Sequence, residues 1–365
     1  MLYYVQRRDN CRFLSIITHF LGDWKTMSKN ILNIAVVGCS NMAKLHMNGI
    51  KAREGANLYA ICDNDPDVLA KRQEEMQVEK TCTDYRELVN DPKVDAVVLV
   101  VPDQVHLEMT VAFLRAGKAV LCEKPFALSV EECMEMIRVE KETGGKLMVG
   151  QICRCTPGFI KAKELVDAGR IGELTFVESE YAHNYADARG ARDWRVVPER
   201  HIVIGGGCHA IDLLRWIAGD PTEVYGHHNH KVLVDWPSCD TAIAVYKFPN
   251  NVMGKVFVSS GCKRDYTMRT VLYGTMGTII CDNTSDYITL YEDSATTEYY
   301  KGQKIDVRVD NHNCTAEIDA FVTALLNDEP MPVSSMEGTK TVVVCCASVQ
   351  SMNEHRVIEI EYPEV

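Results

Sequence analysis

A lysine near the middle of the chain follows a short apolar run and could handle a proton. Lys124 lies in Glu123-Lys124-Pro125, directly after residues 119–122, whose apolar character predicts a buried parallel strand. Ligands of open α/β sheets bind at the carboxyl ends of the strands. A lysine there, followed by a proline that fixes the backbone φ angle, is well placed for acid–base chemistry beside a cofactor. The same tripeptide is common in surface turns, so the interpretation depends on the rest of the chain.

A glycine turn about 85 residues upstream has the form of a dinucleotide site. Gly38, Ser40 and Ala43 follow a β-branched run and occupy the three small positions of the Gly-x-Gly-x-x-Gly/Ala fingerprint. Ser40 departs from the pattern where the backbone must approach the pyrophosphate, but its hydroxyl could bind a phosphate. We expect the N–H groups at the start of the next helix to bind this anion. The turn residues predicted to contact the cofactor are Gly38, Cys39, Ser40, Asn41 and Met42.

An acidic residue after the second predicted strand indicates which nicotinamide cofactor binds. The strand at 57–62 ends in Asp63, 25 residues after Gly38. A carboxylate there accepts hydrogen bonds from ribose hydroxyls and repels a 2′-phosphate. Asn64 follows it, and no arginine comes immediately after. We therefore predict NAD rather than NADP as the cofactor, with Asp63 and Asn64 in its site. The alternative is that Asp63 only caps the next helix.

Strand and helix patterns alternate through the first 150 residues. A strand at 94–101 precedes Pro102, a helix spans 106–116, and the strand before Lys124 follows. Ser129 and Glu132 then form a capping box at the start of another helix, and a last strand lies at 147–149. Repeated βα units predict a doubly wound parallel sheet. The sequence thus predicts an α/β protein with an N-terminal Rossmann domain over residues 30–150.

Taken together, these motifs resemble the glucose–fructose oxidoreductase / inositol dehydrogenase / rhizopine-catabolism (Gfo/Idh/MocA) family of NAD(P)-dependent sugar oxidoreductases. The resemblance covers roughly residues 30–362. It implies that Pro102, His106 and Glu123 join Lys124 in the cofactor pocket. The shared features are the turn at Gly38, the pair Pro102 and His106, the tripeptide at 123–125, and a glycine run at 205–207 followed by His209 and Asp212.

The resemblance also implies the catalytic pair. Oxidising a secondary alcohol removes a hydride from carbon and a proton from oxygen, and a side chain must take the proton. Lys124 and His209 are the candidates, since burial and the nicotinamide charge lower a lysine pKa and histidine titrates near neutrality. In the family a carboxylate four residues before the histidine usually joins them, but this chain has Gly205 there. Alternatively, Lys124 only positions a ligand and His209 is a buried, hydrogen-bonded histidine.

Further polar and aromatic residues are candidates for the substrate pocket. Arg154 stands in an Arg-x-x-Pro segment and Trp194-Arg195 in a Trp-Arg pair, both similar to family motifs. Each candidate could equally belong to the core, and Asp212 could pack or cap its helix. The histidines at 227–230 suggest a polar turn rather than a metal site, because neighbouring strand residues point to opposite faces. The predicted substrate contacts are Lys124, Arg154, Tyr181, His183, Trp194, Arg195, His209 and Asp212.

The remainder of the chain, residues 151–365, predicts a second α/β domain with a large, mostly antiparallel, open-faced sheet. A helix at 159–168, another at 338–352 and a strand at 356–362 complete it. In the family the open face covers subunit interfaces, so we expect a homo-oligomer, either a dimer, a tetramer or a hexamer. The predicted strands of this sheet are 174–182, 223–227, 241–248, 253–259 and 270–274.

Composition restricts the class of protein. The chain has 365 residues and a net charge of −12, which argues against nucleic acid as a partner. No segment is long and apolar enough to span a membrane. The 15 cysteines lack metal spacing and suggest small core residues in a reducing compartment, which predicts a cytoplasmic protein. Residues 1–29 are expected to be a disordered extension or a mis-assigned start, with Met27 as the alternative first residue.

The resemblance implies NAD-dependent oxidation of a secondary hydroxyl of a sugar or glycoside. The family branch that this chain resembles most oxidises the C3 hydroxyl of glycosides, and the 3-oxo-glycoside then passes to a partner lyase that eliminates the aglycone. Alternatives are an inositol or polyol dehydrogenase, a glycosidase that retains NAD and cleaves through transient oxidation, and a non-enzymatic NAD-binding sensor. Sensors tend to lose the lysine or the histidine, so Lys124 and His209 favour an enzyme.

Overall fold

Two sheets of different type form the framework of the protein. The computed structural model describes residues 31–186, 194–292 and 301–364, so the predicted extension at 1–29 lies outside the described residues. One sheet has six strands and the other has nine. The predicted α/β architecture is confirmed.

The six-stranded sheet is parallel throughout and follows the order β3-β2-β1-β4-β5-β6. Because the chain moves outward from β1 and then returns to start again at β4, a crevice opens at the carboxyl ends of these two strands. Its strands are β1 Leu32–Val37, β2 Ala56–Cys62, β3 Lys80–Cys82, β4 Ala96–Leu99, β5 Ala119–Glu123 and β6 Leu147–Gly150. Its helices are α1 Asn41–Ala52, α2 Pro66–Met76, α3 Arg86–Val89, α4 His106–Arg115 and α5 Val130–Thr143.

The glycine turn after β1 depends on the absence of a side chain. Gly38 has a φ of +89°, and a Cβ atom added there would lie 2.1 Å from the carbonyl oxygen of Val100. Ser40 caps α1, with its Oγ accepting the N–H of Ala43 at 3.3 Å. Ala43 is fully buried against the sheet. The chain can therefore enter α1 directly above the carboxyl edge of β1.

The nine-stranded sheet has the order β14-β13-β12-β11-β7-β10-β9-β8-β15, and only the β7–β10 pair is parallel. Three strands that the sequence analysis did not predict, β12 to β14, extend one edge. The C-terminal strand predicted at 356–362 is wrong in length, because only two of its residues pair with β8. The strands are β7 Leu174–Ala182, β8 Glu223–Asn229, β9 Thr241–Lys247, β10 Met253–Ser259, β11 Thr267–Gly274, β12 Gly277–Asp282, β13 Tyr287–Glu292, β14 Gln303–Asp306 and β15 Ile358–Glu359.

Helix α8 packs tightly on this sheet because two glycines precede it. A Cβ atom at Gly206 would lie 2.6 Å from the Tyr181 ring, and one at Gly207 would lie 2.7 Å from Val258. Most of α8 is consequently buried. Within the described ranges, no helix is long and apolar enough to cross a bilayer. The helices of this half are α6 Pro157–Asp167, α7 Ile202–Gly205, α8 Cys208–Ala218, α9 Cys314–Leu326 and α10 Ser335–Glu354.

The C-terminal part of the chain returns to the six-stranded sheet. The boundary predicted at residue 150 therefore separates the strands of the two sheets, but residues beyond it contribute to the core of the first. Ile318 and Phe321 of α9 belong to the core of the parallel sheet. A Cβ atom at Gly49 of α1 would lie 3.1 Å from the carbonyl oxygen of Cys314. Helices α1 and α9 therefore pack at close range, and α9 completes the first domain.

Three buried ionisable groups meet where α9 packs on α1 and β5. His46 Nε2 lies 2.8 Å from Glu123 Oε1, and His46 Nδ1 lies 3.8 Å from Glu317 Oε2. Neither carboxylate oxygen of Glu317 has a hydrogen-bond partner among the described residues. Burial raises the pKa of Glu317, His46 and Lys124 oppose the rise, and the charge of Glu123 adds to it, which together bring the pKa to about 8. Glu317 is therefore protonated in the folded protein at neutral pH.

This raised pKa makes stability fall with pH. Between its ordinary pKa of 4.5 and about 8, the unfolded chain has lost the Glu317 proton and the folded chain keeps it, so rising pH favours unfolding. Glu317→Gln removes this effect. We compare the unfolding free energy of the variant with that of wild type at each pH. This difference should be more favourable to the variant at pH 8 than at pH 5 by at least about 1.4 kcal/mol, the equivalent of one pKa unit. Urea unfolding at both pH values measures it, with the exposed Glu131→Gln as control; an equal gain in both variants would contradict the assignment.

Candidate functional site

The carboxylate predicted to select NAD lies directly against the glycine turn. Asp63 Oδ2 accepts the N–H of Cys39 at 2.7 Å, and Oδ1 accepts the N–H of Asp65 at 2.9 Å. The cap of α2 is Asp65, which accepts from the N–H groups of Asp67 and Val68. Asp63 is thus not the helix cap, and the alternative considered from the sequence does not hold. Its half-buried carboxylate borders the crevice beside Gly38.

An arginine that the sequence analysis missed holds the same turn from α2. Arg72 Nε donates to the carbonyl oxygen of Cys39 at 3.1 Å, and Nη2 donates to that of Ser40 at 3.2 Å. Nη2 also lies 3.3 Å from Oδ1 of Asn41. No short motif marks this arginine, because it reaches the turn only when α2 packs on the sheet. Of the other predicted cofactor contacts, Asn64 is exposed and Met42 is half-buried against the second core.

Lys124 lies in a turn that buried groups hold from two sides. Its N–H donates to Glu123 Oε2 at 3.1 Å, and the Lys124–Pro125 peptide bond is cis. On the other side, Nδ1 of the fully buried His106 lies 3.0 Å from the Pro125 carbonyl oxygen, and Nε2 lies 3.2 Å from that of Val101. Lys124 itself is half-buried.

Both ring nitrogens of His106 face acceptors, which requires a protonated ring. Burial alone would lower the pKa of His106, but neighbouring Cys122, Asp103 and the Val101 carbonyl raise it to about 10. This imidazolium connects the segment after β4, which includes Pro102, with the Lys124 turn. The predicted contact of Pro102, His106 and Glu123 with the cofactor stays a prediction, and the geometry gives His106 and Glu123 a supporting place behind the turn.

His209 lies in the first turn of α8, near enough to Lys124 for its charge to act on the ring. Its ring stacks on Tyr181, with centroids 5.7 Å apart and planes 22° apart. Burial lowers the pKa of His209 well below its usual value, and the charge of Lys124 lowers it further. The ring is therefore neutral and carries one proton.

Two sulfur atoms lie beside His209 and bear on which nitrogen carries that proton. His209 Nδ1 lies 3.5 Å from Cys153 Sγ, and Cys153 Sγ lies 3.3 Å from Met268 Sδ. A thioether can only accept a hydrogen bond, so the thiol proton of Cys153 can satisfy the contact with Met268. The Nδ1–H of His209 can then donate to Cys153 Sγ, and in that tautomer Nε2 has no proton and can accept one.

Aromatic rings surround Lys124 and His209. His183 lies 4.5 Å from Tyr266 between ring centroids, and Tyr266 stacks on His312 at 5.6 Å. Burial and then the Lys124 charge lower the pKa of both His183 and His312 to about 4. The predicted residues Tyr181 and His183 are thus in the cluster. Tyr266 and His312 were missed, because they follow β10 and β14 far along the chain and no motif surrounds them.

Arg154 and Asp212 are paired with each other. Arg154 Nε and Nη2 lie 2.9 and 2.7 Å from the two oxygens of Asp212, and Nη2 lies 3.0 Å from Glu337 Oε2. Thr341 also donates to Asp212 at 3.0 Å. This buried network joins α8 to α10 behind His209. The geometry favours packing of α8 as the role of Asp212, and contact of either residue with substrate stays a prediction.

The position of the missing carboxylate is filled by an arginine. A Cβ atom at Gly205 would lie 2.3 Å from Arg200 Nη1. Arg200 is buried and its Nε donates to Asp103 Oδ2 at 2.5 Å. Beside it, the guanidinium of Arg195 lies 4.0 Å from the Trp194 ring centroid. Gly205 is therefore a steric requirement of the Arg200–Asp103 pair.

A possible metal cluster involves one histidine of the 227–230 run. Ligand atoms of His201, His228 and Cys239 lie within 4.8 Å of one another. However, His201 Nδ1 accepts the N–H of Val203 at 3.2 Å, which places the ring proton on Nε2, 3.2 Å from Cys239 Sγ. A protonated nitrogen cannot coordinate a metal. We assign no metal to this cluster.

Comparisons with known proteins agree with the fold and the cofactor. Residues 32–151 match the oxidoreductase family with an NAD-binding Rossmann fold, and residues 159–280 match the GFO/IDH/MocA C-terminal domain. Myo-inositol 2-dehydrogenase of Thermotoga maritima is 28% identical over 342 residues, covering 90% of this chain and 99% of that protein. The NAD(+)-dependent scyllo-inositol 2-dehydrogenase of Bacillus subtilis is 27% identical, covering 90% and 96%.

Solved structures show the same architecture. Levoglucosan dehydrogenase in complex with NADH superimposes with a TM-score of 0.85 over 91% of this chain and all of that chain. At 19% identity this likeness concerns the fold alone. The two domain matches together span most of the described chain, and the glycine turn, Asp63 and the Lys124 turn follow strands of the matched Rossmann domain. The chain belongs to the GFO/IDH/MocA family and is an NAD-dependent oxidoreductase.

Proposed function

We propose that the protein oxidises a secondary hydroxyl, that at C3, of a sugar or glycoside to a ketone. The observation that carries this proposal is the pairing of Lys124 with a neutral histidine whose Nε2 can accept a proton. Lys124 follows β5 at the carboxyl edge of the Rossmann sheet, where the cofactor binds in such folds, and its charge acts on His209. A hydroxyl bound between them would meet a positive charge on one side and a proton acceptor on the other.

The residues of the crevice fit a dinucleotide. The turn at Gly38 leads into α1, whose first N–H groups suit a pyrophosphate, and the Ser40 hydroxyl, although its oxygen caps α1, still has a proton to donate. Asp63 is placed to accept from the ribose hydroxyls. When bound, NAD⁺ accepts the hydride that leaves the alcohol carbon.

His209 and Lys124 divide the work on the hydroxyl. His209 Nε2 accepts the proton, while the Lys124 ammonium stabilises the negative charge that develops on the oxygen. The charge that weakens His209 as a base also lowers the pKa of an alcohol bound beside Lys124. Stacking on Tyr181 and the contact with Cys153 keep the imidazole in one orientation.

The substrate class rests on the pocket and on the relatives. His183, Tyr181 and Tyr266 offer neutral hydrogen-bonding groups and ring faces, which suit a cyclic polyol. The named relatives act on inositols, and levoglucosan dehydrogenase is a structural neighbour. These names support a sugar or polyol, and an inositol dehydrogenase is the second candidate. A C3 ketone acidifies the C2 hydrogen, so a partner lyase could then expel an aglycone.

The face of the second sheet supports the expected oligomer. Ile243 and Val245 of β9, Met253 of β10 and Tyr273 of β11 are exposed on one face of the sheet, beside the ion pair of Lys255 with Glu178. Exposed apolar side chains that are grouped on one face and bordered by polar ones typically mark a protein interface. We infer that it lies between copies of the chain.

The proposal is tested by NADH formation with methyl and aryl glucosides and myo-inositol, followed by mass spectrometry for loss of two hydrogens. Lys124→Ala should lower kcat by about 10² or more, the scale of acid–base groups, while NAD affinity is retained. Lys161→Ala, on the exposed face of α6, is the control. Wild-type turnover in Lys124→Ala would remove this lysine from the mechanism. Oxidation of inositol alone would favour the second candidate, and aglycone release without net NADH would favour a redox-assisted glycosidase.

Asp63→Ala should shift cofactor preference toward NADP. Loss of the carboxylate removes the bonds to ribose and the repulsion of a 2′-phosphate, so the ratio of kcat/KM for NADP to that for NAD should rise about tenfold. A general disturbance of the turn would lower both values and leave their ratio unchanged. Asp67→Ala, in the exposed first turn of α2, is the matched control. An unchanged ratio in Asp63→Ala would contradict the placement of the ribose.

The protonation of His209 is tested through its sulfur partners. Met268→Leu keeps the volume but removes the acceptor of the Cys153 proton, which can then move to His209 Nδ1 and leave the ring proton on Nε2. We expect kcat to fall about tenfold with little change in KM, and Cys153→Ala to have a similar effect by freeing the ring. Cys281→Ala, which removes a buried thiol from β12, is the control.

The ¹⁵N chemical shifts of the His209 ring give an independent measurement. In wild type, Nδ1 should carry the proton and Nε2 should be bare, and Met268→Leu should reverse the two. A proton on Nε2 in wild type would show that Cys153 donates to the ring.

A further inference from the structure

A second aromatic pair lies next to the candidate pocket and is not used in the proposed reaction. The rings of Tyr185 and Trp236 are nearly parallel, with planes 11° apart and centroids 6.0 Å apart. Such a separation corresponds to an offset stack, which leaves part of each face uncovered. Tyr185 is buried and Trp236 is half-buried, so Trp236 presents the accessible face.

This pair is continuous with the pocket. Tyr185 Oη lies 2.7 Å from Tyr181 Oη, and Tyr181 is the ring on which His209 stacks. The Tyr185 ring also lies 4.7 Å from that of His183. Two tyrosine rings thus separate Trp236 from His209. A sugar that reacts at His209 reaches Trp236 only through a substituent.

The loop that carries Trp236 is fixed by a buried carboxylate. Asp240 Oδ2 accepts the N–H groups of Lys231, Val232 and Leu233 at 2.8, 2.6 and 2.9 Å. The N–H of Trp236 donates to the Leu233 carbonyl oxygen at 2.9 Å. A carboxylate that accepts three backbone N–H groups holds a loop in one conformation. The loop is therefore preorganised, which lowers the entropy cost of binding a ligand.

The same loop exposes two apolar side chains, one on each side of a buried leucine. Val232 and Val234 are 45% and 65% exposed, while Leu233 between them is buried. Single exposed apolar residues are ordinary, but a rigid loop that presents two valines and a tryptophan beside a pocket is typical of a binding surface. The surface offers ring faces and methyl groups, which suit a flat apolar group.

We propose that Trp236 and Tyr185, together with Val232 and Val234, form a subsite for a flat aromatic group attached to the sugar, the aglycone of an aryl glycoside. The proposal rests on glycoside oxidation as the proposed function. The sugar binds at Lys124 and His209, and its aromatic substituent extends the offset stack over the open face of Trp236. Substrates without such a group bind through the sugar pocket alone.

The test compares phenyl β-glucoside with methyl β-glucoside as substrates of the full chain with NAD⁺. An additional aromatic stack near the upper end of its usual range contributes about 1.4 kcal/mol, so wild type should favour the phenyl glucoside by about tenfold in kcat/KM. Trp236→Ala should remove this preference through a higher KM for the phenyl glucoside and leave the methyl glucoside unchanged. Trp236→Phe should restore most of it. Val357→Ala, an exposed valine outside the loop, should change neither value.

The remaining outcomes separate this proposal from the proposed function. Oxidation of both glucosides with equal kcat/KM, unaffected by Trp236→Ala, overturns the subsite but leaves glycoside oxidation intact. An equal loss for both substrates assigns Trp236 to the sugar pocket or the fold and also overturns it. A lower molar mass of Trp236→Ala in light scattering identifies the loop as an interface between copies, which again overturns it.

If neither glucoside is oxidised, the proposed function fails and direct binding decides the subsite. In calorimetry with the NADH-loaded protein, phenyl glucoside should bind wild type more tightly than Trp236→Ala. Equal affinity of the two proteins would refute the subsite on this measurement as well.

Discussion

A protonated histidine buried between two strand ends fixes the geometry on which the candidate site depends. His106 donates to the carbonyl oxygens of Val101 and Pro125, and only a charged ring can do both. From the other side, Glu123 holds the Lys124 N–H and is itself held by His46. The lysine turn is therefore fixed by hydrogen bonds whose charged partners are shielded from water, where such bonds are strongest.

The charge distribution around this turn explains how one lysine can influence a whole pocket. The Lys124 charge and burial act together on His183, His209 and His312, and all three rings stay neutral. A neutral imidazole donates through one nitrogen and accepts through the other, so its surroundings must specify which nitrogen carries the proton. In the proposed arrangement Cys153 and Met268 specify the tautomer of His209, and they add no further charge beside the half-buried Lys124.

The sequence predicted the features that are encoded locally. The turn at Gly38, the carboxylate of Asp63 and the lysine after β5 each follow from a short motif at a strand end, and the structure brings them to one edge. Features that arise from packing could not be predicted in this way. Arg72 reaches the glycine turn across a helix, and His312 reaches the pocket from the other end of the chain.

Strands β12 and β13 lie between these two cases, because their sequence pattern is local but was not interpreted as strand. Their buried residues Ile279, Cys281, Ile288 and Leu290 alternate with partly exposed ones, which is the period of a half-buried strand. The predicted sheet nevertheless ended at residue 274. The pairing of Arg154 with Asp212 could not be predicted either, because the two residues are 58 positions apart and meet only when α8 packs beside the segment after β6.

The return of α9 to the first sheet has a consequence for how the protein is made. Ile318 and Phe321 fill the core beneath the cofactor crevice, and they leave the ribosome about 280 residues after β1. Until then the emerging Rossmann half exposes the apolar surface that α9 will cover, together with the buried His46 and Glu123. The cofactor domain therefore begins first in the chain, but its core is completed only late in synthesis. Its exposed apolar surface makes the nascent chain prone to aggregation until α9 has been made.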